Sequence, residues 1–312
     1  MQMTNRQPLR QIALKVDVDT WRGTAKGVPN LLEMLKRYEA GATFLFALGP
    51  DNTGRAIKRI FRPGFLQKVG RTSAISHYGL GTLLHGTLLP GPMIGEKCAD
   101  IMREVHKQGF ETGIHCWDHV KWQDNVSTAS NAWTEDEMDK AIDEYRRIIG
   151  KAPKAHGAAG WQMNRHAFRL TERRGFAYAS DTRGSCPFIP VWDGEPVSCL
   201  QLPTTLPTID ELIGLNGIKR DNVAAHLLQL TVEPPLQGHV FTLHAELEGM
   251  KLAHVLEELL HGWLEQGYSL VSLQTLNQSI DRARLPRSCI RSASIPGRSG
   301  LLMMQGDALV EG

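Results

Sequence analysis

The chain has 312 residues, 42% of them hydrophobic and 22% charged, a globular composition whose length allows one large α/β domain or two smaller ones. A net charge of +2, with no basic run interleaved with stacking aromatics, gives no footing for nucleic acid. Five scattered cysteines (Cys98, Cys116, Cys186, Cys199, Cys289) make neither a disulfide framework nor a structural zinc pattern and suit a reducing compartment.

The first ten residues are polar and carry no signal-peptide core, and no uninterrupted apolar run of about twenty residues follows, so a cytoplasmic chain is expected. Ile12-Ala13-Leu14 opens a buried strand that ends in Val16-Asp17-Val18-Asp19. Side chains alternate along a strand, so Asp17 and Asp19 project to one side, where they are either solvated strand-end groups or partners of a cation. Val28 to Ala40 is a helix, with Pro29 in its first turn, a stripe of Leu31, Leu32, Leu35 and Tyr38, and Gly41 after it. Residues 42–48 form a continuous apolar run, as in a strand buried on both faces.

Glu96 to Gln108 is a helix closed by Gly109, and the next strand carries His115. Thr134 with Glu137 reads as a capping box for a helix that runs to Ile149. Lys154 to Ala158 is a short strand, Asn164 caps a helix ending at Gly175, and Phe176 to Ser180 is a strand ending at Asp181. Ser198 to Leu202 and Gly238 to Leu243 are strands, with a helix near Asn222 to Leu230 between them. Leu252, Val255, Leu256, Leu259, Leu260 and Trp263 give the strongest helical stripe, and Tyr268 to Leu273 is the last strand.

Strand and helix alternate with no Asn-Gly-like hairpin signal, which favours a parallel sheet; seven or eight units favour a closed or nearly closed (β/α) barrel. Residues 1–276 are read as that single barrel, with an insertion at about 51–96, and residues 277–312 as a mobile tail rich in Ser, Arg, Gly and Pro. Working groups in such barrels sit at the C-terminal ends of strands, where Asp17, Asp19, His115, Asp181 and His244 fall. His115 and His119 are four apart, a weak metal signal alone in a chain of twelve histidines. Asp19 supplies the candidate third ligand.

Asp17-Val18-Asp19, His115-Cys116-Trp117-Asp118-His119 and Thr242-Leu243-His244 resemble the motifs of the NodB-type polysaccharide deacetylase family. The resemblance covers the chain to about Leu276 and implies a distorted barrel of seven units. Longer runs, Val16 to Gly23, Gly113 to Trp122, Ala155 to Gln162 and Leu243 to Gly249, are similar to one branch of it. That branch removes formate from an undecaprenyl-phosphate-linked formamido-arabinose, for lipid A modification and polymyxin resistance. The resemblance implies a peripheral enzyme on the cytoplasmic face of the bacterial inner membrane.

Residue by residue, the resemblance makes Asp19, His115 and His119 ligands of one divalent ion, Asp17 the general base and His244 the general acid. Such a ligand set suits zinc, cobalt, manganese, iron or nickel. Asp181 sits where the family places a carboxylate that orients the acid histidine. An Arg-Pro-Pro-Tyr-Gly-like run holds the base in the wider family; here the run is His156-Gly157-Ala158-Ala159-Gly160, without the arginine. The backbone N–H of Ala159 is an oxyanion donor by analogy with the tyrosine position. Such a site meets the three needs of amide hydrolysis: activated water, a stabilised oxyanion and a protonated leaving nitrogen. Rival readings are an N-deacetylase for a soluble or cell-wall amino sugar, and a silent sugar- or lipid-binding barrel.

Other candidates keep two readings. Trp161 faces a sugar or packs in a turn, Arg183 meets a phosphate or a carboxylate, and Asp118 caps a turn or holds an imidazole. Cys116 packs. Between Asp51 and Glu96 stand Arg55, Lys58, Arg59, Arg62, Lys68 and Arg71 among large apolar residues, with no carboxylate. That describes either a surface lying on anionic lipid, with Lys58, Arg59 and Arg62 in contact, or a lid over the barrel mouth.

Overall fold

The computed structural model of the protein describes residues 9–55, 85–87 and 89–309. The expected lipid contacts Lys58, Arg59 and Arg62 lie outside the described residues. In chain order the parallel strands are β1 (Gln11–Val18), β2 (Thr43–Ala47), β3 (Glu111–Cys116), β4 (Ala155–His156) and β5 (Tyr178–Ala179). Then come β6 (Ile189–Trp192), β7 (Glu195–Pro196), β8 (His239–His244), β9 (Ser269–Val271), β10 (Arg287–Ala293) and β11 (Leu302–Ala308).

The main sheet runs β5-β4-β3-β2-β1-β8, with β9 also on β1. β1 is its axis. It pairs with β2 through Lys15 to Val18, with β9 through Gln11 to Ala13, and with β8 from Ile12 to Asp17. Asp17 stands opposite His244 in that last register. The gap between β5 and β8 is spanned by an extended stretch where a strand was expected from Ser198. Leu202 N–H donates to Ala179, and Thr205 N–H to Val240. Pro203 has no N–H to give, so this stretch bonds at single points and makes no continuous ladder. The architecture is thus a distorted (β/α) barrel, as expected.

Helices α1 (Val28–Arg37), α2 (Ala99–Lys107), α3 (His119–Asn125), α4 (Asn131–Ile149) and α5 (Arg165–Arg173) follow strands β1 to β4. α6 (Val223–Leu230), α7 (Ala253–Glu265) and α8 (Leu273–Gln278) complete the ring. The alternation of β1 divides the core. Ile12, Leu14 and Val16 pack outward with Phe44, Phe46, Phe241 and Trp263 under the helices. Ala13 points inward with Leu45, Ala155, Tyr178 and Val240. Burying a Leu, Ile or Phe contributes about 1.5–3 kcal/mol, so the helix-facing layer carries most of the stability.

Three local expectations are corrected. The helix expected to start at Thr134 begins earlier: Ser130 caps α4 by accepting the Trp133 N–H at 3.3 Å, and Thr134 lies inside it. A hairpin does exist: Asp193 and Gly194, both at positive φ (49° and 79°), turn β6 into antiparallel β7. That is the Asp-Gly signal of a tight turn. The tail expected to be mobile carries β10 and β11, which join β6 in a second sheet ordered β11-β10-β6-β7. Among the described residues no helix is long and apolar enough to cross a membrane.

Candidate metal centre

Asp19 follows β1, His115 is the penultimate residue of β3, and His119 opens α3. The fold brings them together at the barrel mouth. Asp19 Oδ1 is 3.2 Å from His115 Nε2, and Oδ2 is 3.3 Å from His119 Nε2. The two imidazoles stack with centroids 5.3 Å apart. One ligand atom from each residue lies within 4.8 Å of the other two. Asp19 Oδ1 is nevertheless buried without a hydrogen-bond partner. Two imidazole nitrogens and a buried carboxylate that converge without hydrogen-bond geometry fit a divalent cation. Burial opposes the charge of Asp19, but His119, His115 and His244 outweigh it and hold the carboxyl well below the usual range.

The small Asp118 ambiguity resolves as a cap that is itself anchored. Its Oδ1 accepts the Lys121 N–H at 3.0 Å, and its Oδ2 accepts Asn52 Nδ2 at 2.6 Å. That fixes the start of α3 and with it His119. Cys116 packs, and burial pushes its thiol far up, away from nucleophilic use.

Asp17 sits beside the cluster. Its Oδ1, 3.7 Å from His115 Nδ1, has no hydrogen-bond partner, whereas its Oδ2 accepts Lys15 Nζ at 2.6 Å. Sequence reasoning passed over Lys15. The signal is a second charge in a mostly apolar strand, two positions before Asp17 and so on the same side.

His244 ends β8, its Nδ1 buried without a partner. Burial opposes its positive charge, but Asp210, Asp19, Glu248 and Asp17 outweigh this and raise its pKa to about 9. Asp181, expected to orient His244, does something else. Its Oδ1 accepts from Ala158 N–H at 2.8 Å and bonds His156 Nδ1 at 2.7 Å, while Oδ2 accepts Gln201 Nε2 at 3.1 Å. It pins the turn after β4. Asp210, half-buried and next to a genuine capping box at Thr208 and Glu211, is the strongest carboxylate influence on His244. The run Ala245 to Gly249 is buried. Glu246 Oε1 accepts from Asp19 N–H, Thr20 N–H and Thr20 Oγ1 at 3.0, 2.8 and 2.8 Å. Glu248 Oε2 accepts the His244 N–H at 2.7 Å.

Trp161 packs in its turn. It is buried among three cations, with Lys15, Arg183 and Arg298 at 5.1, 5.1 and 4.5 Å from its ring centroid. Arg183 meets a carboxylate, donating to both oxygens of buried Glu211 at 2.9 Å. Arg298 reaches this wall from the turn between β10 and β11, 3.6 Å from Glu211.

The family model described as polysaccharide deacetylase matches residues 4–179. A protein of Shewanella sediminis named "Probable 4-deoxy-4-formamido-L-arabinose-phosphoundecaprenol deformylase" is 39% identical over 307 residues, 98% of this chain and 98% of that one. A protein of Wigglesworthia glossinidia brevipalpis with the same name is 34% identical over 285 residues, 91% of this chain and 98% of that one. A crystal structure from Mycobacterium smegmatis, bearing the name of a polysaccharide deacetylase, superposes with a TM-score of 0.60 at 15% identity. It covers 95% of this chain and 99% of that one, a likeness of fold alone.

Proposed function

Because this chain belongs to the polysaccharide deacetylase family, we propose that it hydrolyses the formamide of undecaprenyl-phosphate-linked 4-deoxy-4-formamido-L-arabinose. The products are formate and the free 4-amino sugar, a step in lipid A modification and polymyxin resistance. The full-length relatives support the substrate. One observation carries the chemistry: Asp17, with an unpartnered oxygen, and His244, with an unpartnered nitrogen, flank the convergence of Asp19, His115 and His119.

Asp19, His115 and His119 would hold a divalent ion, with zinc, cobalt, manganese, iron and nickel all compatible with two imidazoles and a carboxylate. Bound there, it supplies positive charge to the amide carbonyl and acidity to water. Asp17 takes a proton through Oδ1 from the attacking water. The Ala159 N–H, in the turn pinned by Asp181, donates to the oxyanion. His244, with a pKa raised to about 9, holds a proton at neutral pH and gives it to the nitrogen as the C–N bond breaks.

The test uses purified protein, formylated and acetylated forms of the same lipid-linked sugar, and the appearance of free amine. Faster release from the formyl form is expected. Replacing both histidines, His115→Ala with His119→Ala, is expected to abolish metal binding and turnover together, read by metal analysis. A preference for acetyl would move the assignment to an N-deacetylase. No turnover by the metal-loaded protein would leave a binding barrel. For location, we propose a peripheral protein on the cytoplasmic face of the inner membrane, docked through residues 51–96. The six cations between Asp51 and Glu96, with no carboxylate among them, support this, as do the exposed side chains of Trp21 and Leu89.

A further inference from the structure

Lys15 is a buried charge that the chemistry above leaves unused. Its side chain has no solvent exposure. It lies two residues before Asp17 and four before Asp19, so strand alternation turns all three to the barrel interior. A buried ammonium is costly unless something compensates it, and two features do so here. Its Nζ lies 2.6 Å from Asp17 Oδ2. The ring of Trp161 faces it at 5.1 Å, held by its own Nε1 donating to Thr204 Oγ1 at 3.2 Å. Gly157, just after β4, leaves room for the stem, since a Cβ there would stand 3.0 Å from Lys15 Cε and 2.4 Å from Leu45 Cδ1. The two oxygens of Asp17 are thereby made unequal: Oδ2 is tied to the lysine and Oδ1 is left without a partner.

We propose that Lys15 is the positioning residue of the base, fixing the rotation of the Asp17 carboxylate so that Oδ1 is presented to the reacting water. The inference rests on the reading of Asp17 as general base. Lys15 acts through Asp17 and touches no substrate, so its loss changes kcat and leaves KM alone.

The experiment is a double-mutant cycle on the metal-loaded enzyme with Lys15→Met, Asp17→Asn and the pair, measuring kcat, KM and metal content. Lys15→Met is expected to lower kcat about a hundredfold, within the range a positioned base contributes, with KM and metal unchanged. In the Asp17→Asn background the same change is expected to cost less than threefold, because the group it positions has gone. A purely structural lysine would give losses that multiply, and that result overturns the proposal. So does a Lys15→Met enzyme within threefold of the parent. Should Asp17→Asn keep full activity, the base assignment itself falls, and the proposal with it. Gly157→Ala guards against a lysine variant that does not fold. The added methyl meets Leu45 Cδ1 and Lys15 Cε tightly and the Ser180 carbonyl oxygen at an ordinary 3.5 Å, so it presses on the Lys15 stem without removing a charge. It is expected to lower kcat in the parent and to have no effect on Asp17→Asn; an equal loss in both backgrounds overturns the proposal.

Discussion

Glu248 shows what single residues contribute around this site. It is fully buried, one oxygen accepting the His244 N–H and the other without a partner. Burial pushes its carboxyl up to about 7 from an ordinary 4.5. The folded protein therefore holds a proton between those values that the unfolded chain releases. Stability is fully present below about pH 4.5 and is lost as pH rises through 7, by about 3 kcal/mol in all. His244 acts in the same direction at higher pH: its folded pKa of about 9 exceeds the ordinary 6.5, so its contribution is lost between those values. Urea denaturation of the metal-free protein at pH 5 to 8 checks this. Glu248→Gln, which keeps the shape without the titration, is expected to flatten the fall between pH 5 and 7. A slope unchanged in that variant would place the pH dependence elsewhere. At this scale the sequence shows the ligands, because each stands at the end of a run that reads as a strand. It hides Glu246 and Glu248, because acids in a glycine-containing stretch look solvated until the partners that bury them are known.

Between residue and fold stand two short turns that set the distance between the ends of β1 and β8. Residues Gly23–Gly27 and Leu247–Lys251 both form single π-helical turns, a rare geometry that recurs at functional sites. They interlock through glycine. A Cβ on Gly27 would lie 2.0 Å from the Ala245 carbonyl oxygen, and one on Gly249 would lie 2.6 Å from that of Gly27. Backbone cannot yield as a side-chain end can, so Gly27→Ala must push the two turns apart. Overpacking of this kind costs about 1–3 kcal/mol, and here it separates Asp19 from Glu246 as well. The expected result is a lower midpoint of thermal unfolding and weakened metal binding, read by calorimetry and metal titration. A variant with the parent's stability and metal affinity would show that the turns do not constrain each other. Neither turn was legible in the sequence, since a π turn is dictated by what packs against it. The hairpin of β6 and β7 is legible, through Asp193-Gly194, although it is a short antiparallel exception within a long alternation of strand and helix.

Across the whole molecule, the barrel was legible because its strands are apolar runs and its helices amphipathic stripes, patterns that composition carries directly. The C-terminal hairpin was not. β10 and β11 pair with each other, β6 and Arg183, and bury few apolar side chains beyond Leu302 and Met303, which leaves a short hydrophobic pattern behind. The largest asymmetry of the chain is one of charge. A net charge of +2 is spread over 312 residues, yet the stretch between Asp51 and Glu96 holds six lysines and arginines and no acid. On anionic lipid each cation contributes about 1 kcal/mol, so removing three should weaken binding about a hundredfold. Lys58, Arg59 and Arg62 are the three to change, each to glutamine. Co-sedimentation with vesicles of rising anionic content should show the parent bound and the triple variant released, and salt should release the parent as well. Turnover of a short, water-soluble formamido-sugar phosphate should be little altered, because Asp17, Asp19, His115, His119 and His244 are all kept. Binding that ignores both lipid charge and the substitutions would assign the interval to a lid and end the claim of membrane contact.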